Sequence, residues 1–517
     1  MGFLTGCVAA LSTMLLGCGG GGSGGRHLLR EGCISNPPPR IEDGFREPKV
    51  LVSKDGLLET TLKASYSAVN INGARYKTMN YNGAFPGPIL VICPGDRLVV
   101  HLENDLGATP AAWQQVPPLH HIHQGMGQLT NLHTHGLHVS PNGNSDNVFV
   151  SVAPGQRFTY EYHIPGSHLP GLNWYHPHRH GFVENQIYAG LYGVLDIQGG
   201  LDTLPELRDI PIRTLTIASL ELGSKNAKGV VVPTPKSLTL DSPYFINGEL
   251  NPEIDINPGE VQRWQILNTN DNAIVRLGLQ DHVFYVLSND GISLAKISPQ
   301  HSLLLGPGER REVLVQGGPE GTYRLQSLAF RQFQGKGNLV PETTIATLSS
   351  SGSRVDDSLP RAALAKPEDL RGKTIDQRHR LVFTERKNKA QGGYDFLING
   401  KVFNPDRVDQ VMTLSQVNEW TLVNKTEEWH TFHIHVNDFQ VVSVDAPKVS
   451  NVSSGRAGIE DVASSEINPA DTVAMPPHST IKILTRPTDF AGTFVFHCHM
   501  TFHEDHGMMG VVKVVPQ

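Results

Sequence analysis

One pattern recurs three times along this chain and limits what it can fold into. Pro94-Gly95-Asp96-Arg97-Leu98-Val99-Val100-His101-Leu102-Glu103-Asn104 returns as Pro258-Gly259-Glu260-Val261-Gln262-Arg263-Trp264-Gln265-Ile266-Leu267-Asn268, and more faintly from Ser415 to Asn424. Each copy is a turn followed by an alternating segment that ends in Asn, and each follows an Asn-Gly pair: Asn82-Gly83, Asn247-Gly248 and Asn399-Gly400. A second element also repeats. Pro154-Gly155 leads to Gly171-Leu172-Asn173-Trp174-Tyr175-His176, Pro307-Gly308 to Gly321-Thr322-Tyr323-Arg324-Leu325-Gln326, and Pro476-Pro477 to Gly492-Thr493-Phe494-Val495-Phe496-His497. Alternation with turn punctuation is the signature of half-buried strands. Three such units predict an all-β chain of three β-sandwiches, placed at 45–200, 205–350 and 370–517. The segment from Ser349 to Lys373, rich in Ser, Asp, Pro and Ala, reads as the linker into the third. A length of 517 residues accommodates three domains.

The first and third units carry histidine clusters. These are His133-Thr134-His135-Gly136, His176-Pro177-His178, His430-Thr431-Phe432-His433-Ile434-His435 and His497-Cys498-His499, the last followed by His503, Glu504 and Met508. Successive side chains of a strand point to opposite faces. A strand from Thr493 to His499 therefore puts His497 and His499 on one face and Cys498 on the other. His430, three residues before His433, faces away from His433 and His435 and can join Cys498. One segment then serves two metal sites, with a covalent path between them. His2Cys with a weak axial Met is the blue-copper pattern, and imidazoles alone suit a metal that meets oxygen. Zinc fits poorly, because structural zinc sites draw four ligands from tight local spacings such as Cys-x2-Cys. The middle unit has Arg324 and Gln326 where its neighbours have histidines, and its His282 and His301 are isolated. It is expected to act as a spacer that positions the other two.

Over about residues 50 to 517 the chain resembles the multicopper oxidases, in particular bacterial laccase-like members with three domains, and all four copper motifs stand in the family's order. The resemblance implies three cupredoxin-like Greek-key sandwiches and four coppers. It implies a type 1 copper on His430, Cys498 and His503 with Met508 as axial ligand. It implies a type 2 copper on His133 and His433, and a type 3 pair on His135, His176, His178, His435, His497 and His499. Electrons from a reducing substrate would enter at the type 1 edge, His503 being the family's counterpart, and pass from Cys498 through His497 and His499 to reduce O2 to water. Glu504 resembles the family's acid near the type 3 pair, and Asp146 the acid near the type 2 side; such groups relay protons and orient ligands. Met508, where Leu or Phe would not coordinate, implies a moderate type 1 potential.

Nine methionines and no Met-rich insert argue against a specialised copper(I) oxidase. Phenols and aromatic amines are the default substrates; bilirubin-type substrates, iron(II) and manganese(II) stay open, and metal oxidation would need carboxylates beside His503. A copper-sequestering protein without turnover is the alternative from another class, and the complete ligand set argues against it. A net charge of −7 makes nucleic acid a poor partner, and a monomer is expected. The apolar segment from Leu4 to Leu16 ends in Leu15-Leu16-Gly17-Cys18, which resembles a bacterial lipobox, although no Lys or Arg precedes Cys18. Residues 1–44 are accordingly expected to be an export signal and a Gly-rich tether, with Cys18 lipidated and the enzyme periplasmic or at the cell surface. Cys33 and Cys93 could form a disulfide in such a compartment. His120, His121 and His123 read either as a solvated loop or as an accessory copper site, and His180 and His506 lie beside ligands.

Overall fold

The computed structural model describes residues 37–41, 43–107, 128–220, 242–333, 339–388, 393–447 and 467–517. Strands dominate, and each unit is built from two sheets. In the first, a five-stranded sheet ordered Val50–Val52, Ile89–Ile92, Gly193–Ile197, Gly171–His176, His133–His135 accompanies a four-stranded sheet. The middle and third units each pair a six-stranded with a five-stranded sheet. In the third, the five-stranded sheet runs Val408–Thr413, Met509–Val515, Gly492–Cys498, His430–Ile434, Thr472–Met475. The strand orders contain the crossovers of cupredoxin-like sandwiches, and the all-β reading holds.

The repeated motifs occupy equivalent positions. Arg97–Asp105 runs parallel to Leu57–Ile71 and antiparallel to Arg157–His163. Val261–Asn268 lies in the same way between Ile212–Ser219 and Arg310–Gln316, and Asn418–Asn424 between Gln377–Lys387 and Thr480–Thr485. The Asn that closes each copy is a corner clamp. Asn104 Nδ2 donates to the carbonyls of Gln128 and Val152 at 2.7 and 2.8 Å. Asn268 does so to Ala273 and Leu305 at 2.9 and 2.8 Å, and Asn424 to Glu428 and Pro476 at 2.8 and 2.9 Å. Each satisfies carbonyls that leave the ladder where the chain turns, which buried backbone requires. The Asn-Gly pairs are tight turns with positive φ at both residues: 58° and 74° at Asn82-Gly83, 50° and 83° at Asn247-Gly248, 52° and 73° at Asn399-Gly400. Asn and Gly adopt that region at least cost.

Apolar alternation fills each sandwich. The third-unit core holds Trp420, Phe432, Phe494 and Phe496 together with Cys498 and Met508, so one ligand strand is also a core strand. Burial of each such side chain contributes about 1.5–3 kcal/mol, which makes the ligand positions rigid. Two short helices, Val183–Ala189 and Thr501–Asp505, pack against each other at the junction of the first and third units. Asp505 accepts the N–H groups of Gly181 and Glu184 at 2.6 and 2.9 Å, tying the helix that carries His503 to the first unit. Cys93 is buried and disulfide-bonded; Cys33, like Cys18 and the histidines at 120, 121 and 123, lies outside the described residues.

Candidate metal centre

The Cys498 side of its strand builds one site. His430 Nδ1 and His503 Nδ1 stand 3.1 Å apart, and Cys498 Sγ lies 3.6 and 3.5 Å from them. The centre of such a triangle is about 2 Å from each corner, close to the length of metal–imidazole and metal–thiolate bonds. Met508 is fully buried in the cluster that holds Cys498, whereas Met509 packs with Val148 and Val495 in another. The parity of the strand thus selects Met508. His503 is sandwiched against Phe396, with ring centroids at 4.1 Å and planes 15° apart. Its outer nitrogen, Nε2, faces Glu428 Oε1 at 3.2 Å. Burial pushes the Cys498 thiol up to about 12; a bound cation reverses that and takes the sulfur as thiolate.

The opposite face builds a second centre at the junction of the first and third units. His178, His435 and His497 converge, with Nε2–Nε2 distances of 3.1, 3.1 and 3.3 Å. His135, His176 and His499 form a second triad of candidate ligand atoms, and His133 and His433 meet beside His135. Rings from the two units stack face to face: His133 on His435 at 3.8 Å and His135 on His433 at 3.7 Å. All of them are buried.

Hydrogen bonding decides which nitrogen each ring offers. His133 Nδ1 is held by Asp146 at 2.9 Å, His176 Nδ1 by the Pro177 carbonyl at 2.8 Å, and His433 Nδ1 by the Asp471 carbonyl at 2.8 Å. His135 is turned the other way, its Nε2 meeting Asp471 Oδ1 at 3.1 Å. The remaining atoms, Nε2 of His133, His176 and His433 and Nδ1 of His135, are buried without a hydrogen-bond partner, as are both nitrogens of His499. Orphaned buried nitrogens are costly unless a metal takes them, and anchoring the far nitrogen is how proteins orient metal-bound histidines. Burial is the main cause that pushes His176 down to about 3, His178 to about 4 and His430 to about 3, so these rings are in the neutral form that binds metal. The donor set fits copper in both places.

Glu504 stands behind the second centre, 3.4 Å from His178 Nδ1 and 3.1 Å from His497 Nδ1. Asp146 stands behind His133 and also accepts the Thr134 N–H at 2.9 Å. His506 Nδ1–H donates to the Phe502 carbonyl at 2.6 Å, its ring tilted by 42° against that of Phe502, and His180 packs on Phe403.

The middle unit touches the second centre directly. It holds none of the clustered histidines, yet its Pro307–Arg310 turn reaches the second centre. A side chain at Gly308, whose φ is +86°, would meet His135 Cε1 at 3.1 Å and His499 at 3.2 Å. Arg310 binds Asp471, the partner of His135, through both terminal nitrogens. Sequence reasoning missed Arg310, Asp471, Thr472, Glu428 and Trp174, whose ring lies 4.2 Å from that of His176. The available signal was charge: Arg310, Arg311 and Glu312 open a strand that is otherwise apolar.

Sequence comparison agrees with this geometry. Multicopper oxidase family models match residues 63–113, 121–201 and 372–517, more than half of the chain. The chain is 26% identical over 492 residues to a multicopper oxidase of Staphylococcus aureus, covering 90% of this chain and 91% of that one. It is also 26% identical to a laccase of Bacillus stratosphericus, covering 85% and 91%. A solved multicopper oxidase of Campylobacter jejuni, described as a metallo-oxidase, shares the fold with a TM-score of 0.71 at 22% identity, covering 94% of this chain and 99% of that one. The chain belongs to the multicopper oxidases. It is an oxidoreductase that couples oxidation of a reducing substrate to reduction of O2 and uses four coppers, one of type 1, one of type 2 and two of type 3.

Proposed function

We propose that the reducing substrate is a hard divalent cation, iron(II) or manganese(II), oxidised one electron at a time at the His503 edge. The observation that carries this reading is Glu428, whose carboxylate stands 3.2 Å from His503 Nε2. Glu385 hydrogen-bonds to Glu428. Burial, then the Glu385 charge, pushes Glu428 up to about 9, so the two acids share a proton near neutrality. An arriving divalent cation would displace that proton, and carboxylate oxygens suit such hard ions.

In this reading His430, Cys498, His503 and Met508 would hold type 1 copper, and His133 and His433 would hold type 2. His135, His176 and His499 would hold one type 3 copper, and His178, His435 and His497 the other. The bound coppers supply one-electron acceptance at the first site and four-electron reduction of O2 at the second. The chain supplies the rest. Cys498 and His497 are consecutive, so a covalent path joins the two sites. His503 meets Glu428 through its outer nitrogen while Phe396 fixes its plane, so Glu428 stands between the ring and an arriving substrate. Glu504 and Asp146 hold the far nitrogens of His178, His497 and His133 and are the acids placed to pass protons there. We further propose export with a lipid anchor at Cys18, and a monomer.

Oxygen uptake with iron(II) and with a phenol tests the substrate class. Glu428→Gln should lower kcat/KM for iron(II) by roughly 10–100-fold, the worth of a charged contact, and change it for the phenol by less than about threefold. The second reading is a phenol or aromatic amine substrate, supported by the laccase relatives, with Glu428 accepting the phenolic proton. Equal losses on both substrates would favour it.

A further inference from the structure

Among the described residues the middle unit contributes none of the clustered histidines, yet one of its side chains joins all three units at the second centre. Arg310 is fully buried. Its Nε donates to the Leu172 carbonyl at 3.1 Å, and Nη2 donates to Asn173 Oδ1 at 3.3 Å and to the Asp290 carbonyl at 2.9 Å. Nη1 and Nη2 fork onto Asp471 Oδ1 and Oδ2 at 2.8 and 2.7 Å. Leu172 and Asn173 belong to the first unit, Asp290 to the middle and Asp471 to the third. Asp471 then holds two of the clustered histidines. Its Oδ1 meets His135 Nε2, its carbonyl meets His433 Nδ1, and the neighbouring Thr472 hydroxyl lies 3.1 and 3.2 Å from the same two nitrogens. His135 and His433 come from different units and stack across the junction.

We propose that Arg310 is a positioning residue through which the middle sandwich sets the copper occupancy of the three-copper centre. The guanidinium fixes Asp471 in one rotamer. Asp471 accepts the Nε2–H of His135, which keeps the proton on that nitrogen and leaves Nδ1 bare toward the cluster, the reverse of the choice made at His133, His176 and His433. Only a planar fork satisfies both carboxylate oxygens while reaching Leu172 and Asn173 with its other N–H groups. Without it, Asp471 keeps a charge in a dry site with no cation beside it and turns from the geometry that orients the two rings. His135 and His433 then lose their orientation together. The type 1 site shares no hydrogen-bond partner with Arg310, since His430 is held by Thr426 at 2.8 Å and His503 by Glu428. It serves as an internal control. The Gly308 turn, two residues before Arg310 and packed on His135 and His499, gives the middle unit a second hold on the same rings.

The test uses Arg310→Lys and Arg310→Met in the full-length protein, titrated with copper alone. It reads total copper, the type 2 electron paramagnetic signal and the blue thiolate band. Loss of a residue that orients metal-bound histidines weakens metal affinity by roughly 10–100-fold. Both variants should therefore keep the blue band and bind the remaining coppers that much more weakly, Met more than Lys. Arg310→Lys keeps the charge and guards against a Met variant that does not fold. Full type 2 signal and four coppers at unaltered affinity in Arg310→Lys would overturn the proposal. Loss of the blue band in step with the other coppers in Arg310→Lys would also overturn it, because Arg310 would then be a general support of the fold. None of the three readouts involves the reducing substrate, so failure here is separate from failure of the iron(II) reading.

Discussion

Asp146→Asn is a sharp perturbation because it preserves size and removes one charge. The side chain is buried and both of its oxygens accept hydrogen bonds. Oδ1 receives the Thr134 N–H at 2.9 Å and the Thr134 hydroxyl at 3.2 Å, while His133 Nδ1–H lies 2.9 Å from Oδ2 and 3.1 Å from Oδ1. An Asn that keeps its oxygen on Thr134 points its NH2 at His133 Nδ1. Two donors then face each other unless His133 moves its proton to Nε2, the atom that must be bare to bind copper. Flipping the amide puts NH2 against the Thr134 N–H instead, so neither orientation keeps all of the native contacts, and only the longer 3.1 Å contact from His133 survives in the first. A hydrogen bond to a charged acceptor contributes about 1.5–3 kcal/mol, which corresponds to roughly 10–100-fold in affinity. The expected result is weakened type 2 copper with an unchanged blue band, measured by copper titration and electron paramagnetic resonance. Asp146→Ala should be less damaging at this site, because it leaves His133 free to keep its Nδ1 proton. The reverse order, or a full type 2 signal in Asp146→Asn, would refute the tautomer argument.

Two further outcomes follow from the same structure. Cys498→Ser should remove the blue band and all turnover while the histidine centre still binds copper, since Cys498 shares no face with those rings; retained oxygen uptake would break the proposed electron path. Asp196, at the first–middle junction beside Asp202 and Arg40, is raised from 3.8 to about 7, by burial first and Asp202 second. The folded state therefore binds its proton more tightly than the unfolded chain. The stability this contributes is full below pH 3.8 and is lost as pH rises through about 7. Asp196→Asn should flatten the fall in urea midpoint between pH 4 and 8, and an unchanged slope would count against it.

The sandwiches and the histidine clusters are legible along the chain. Strand alternation, Asn-Gly turns and the clamping Asn act over a few residues, so their pattern is written locally. The same two-residue period assigned His430 and Cys498 to one face and His433, His435, His497 and His499 to the other. Tertiary structure decided what stands behind the rings. Arg310 and Asp471 are 161 residues apart and His135 and Asp471 are 336 apart, and no local period relates them. Glu428 precedes His430 by two residues, yet its place over His503 arises only when the Thr501–Asp505 helix folds back across the strand of His430. Ligand identity follows from alternation along single strands. Ligand orientation, and the carboxylate at the substrate edge, follow from how three separate sandwiches dock.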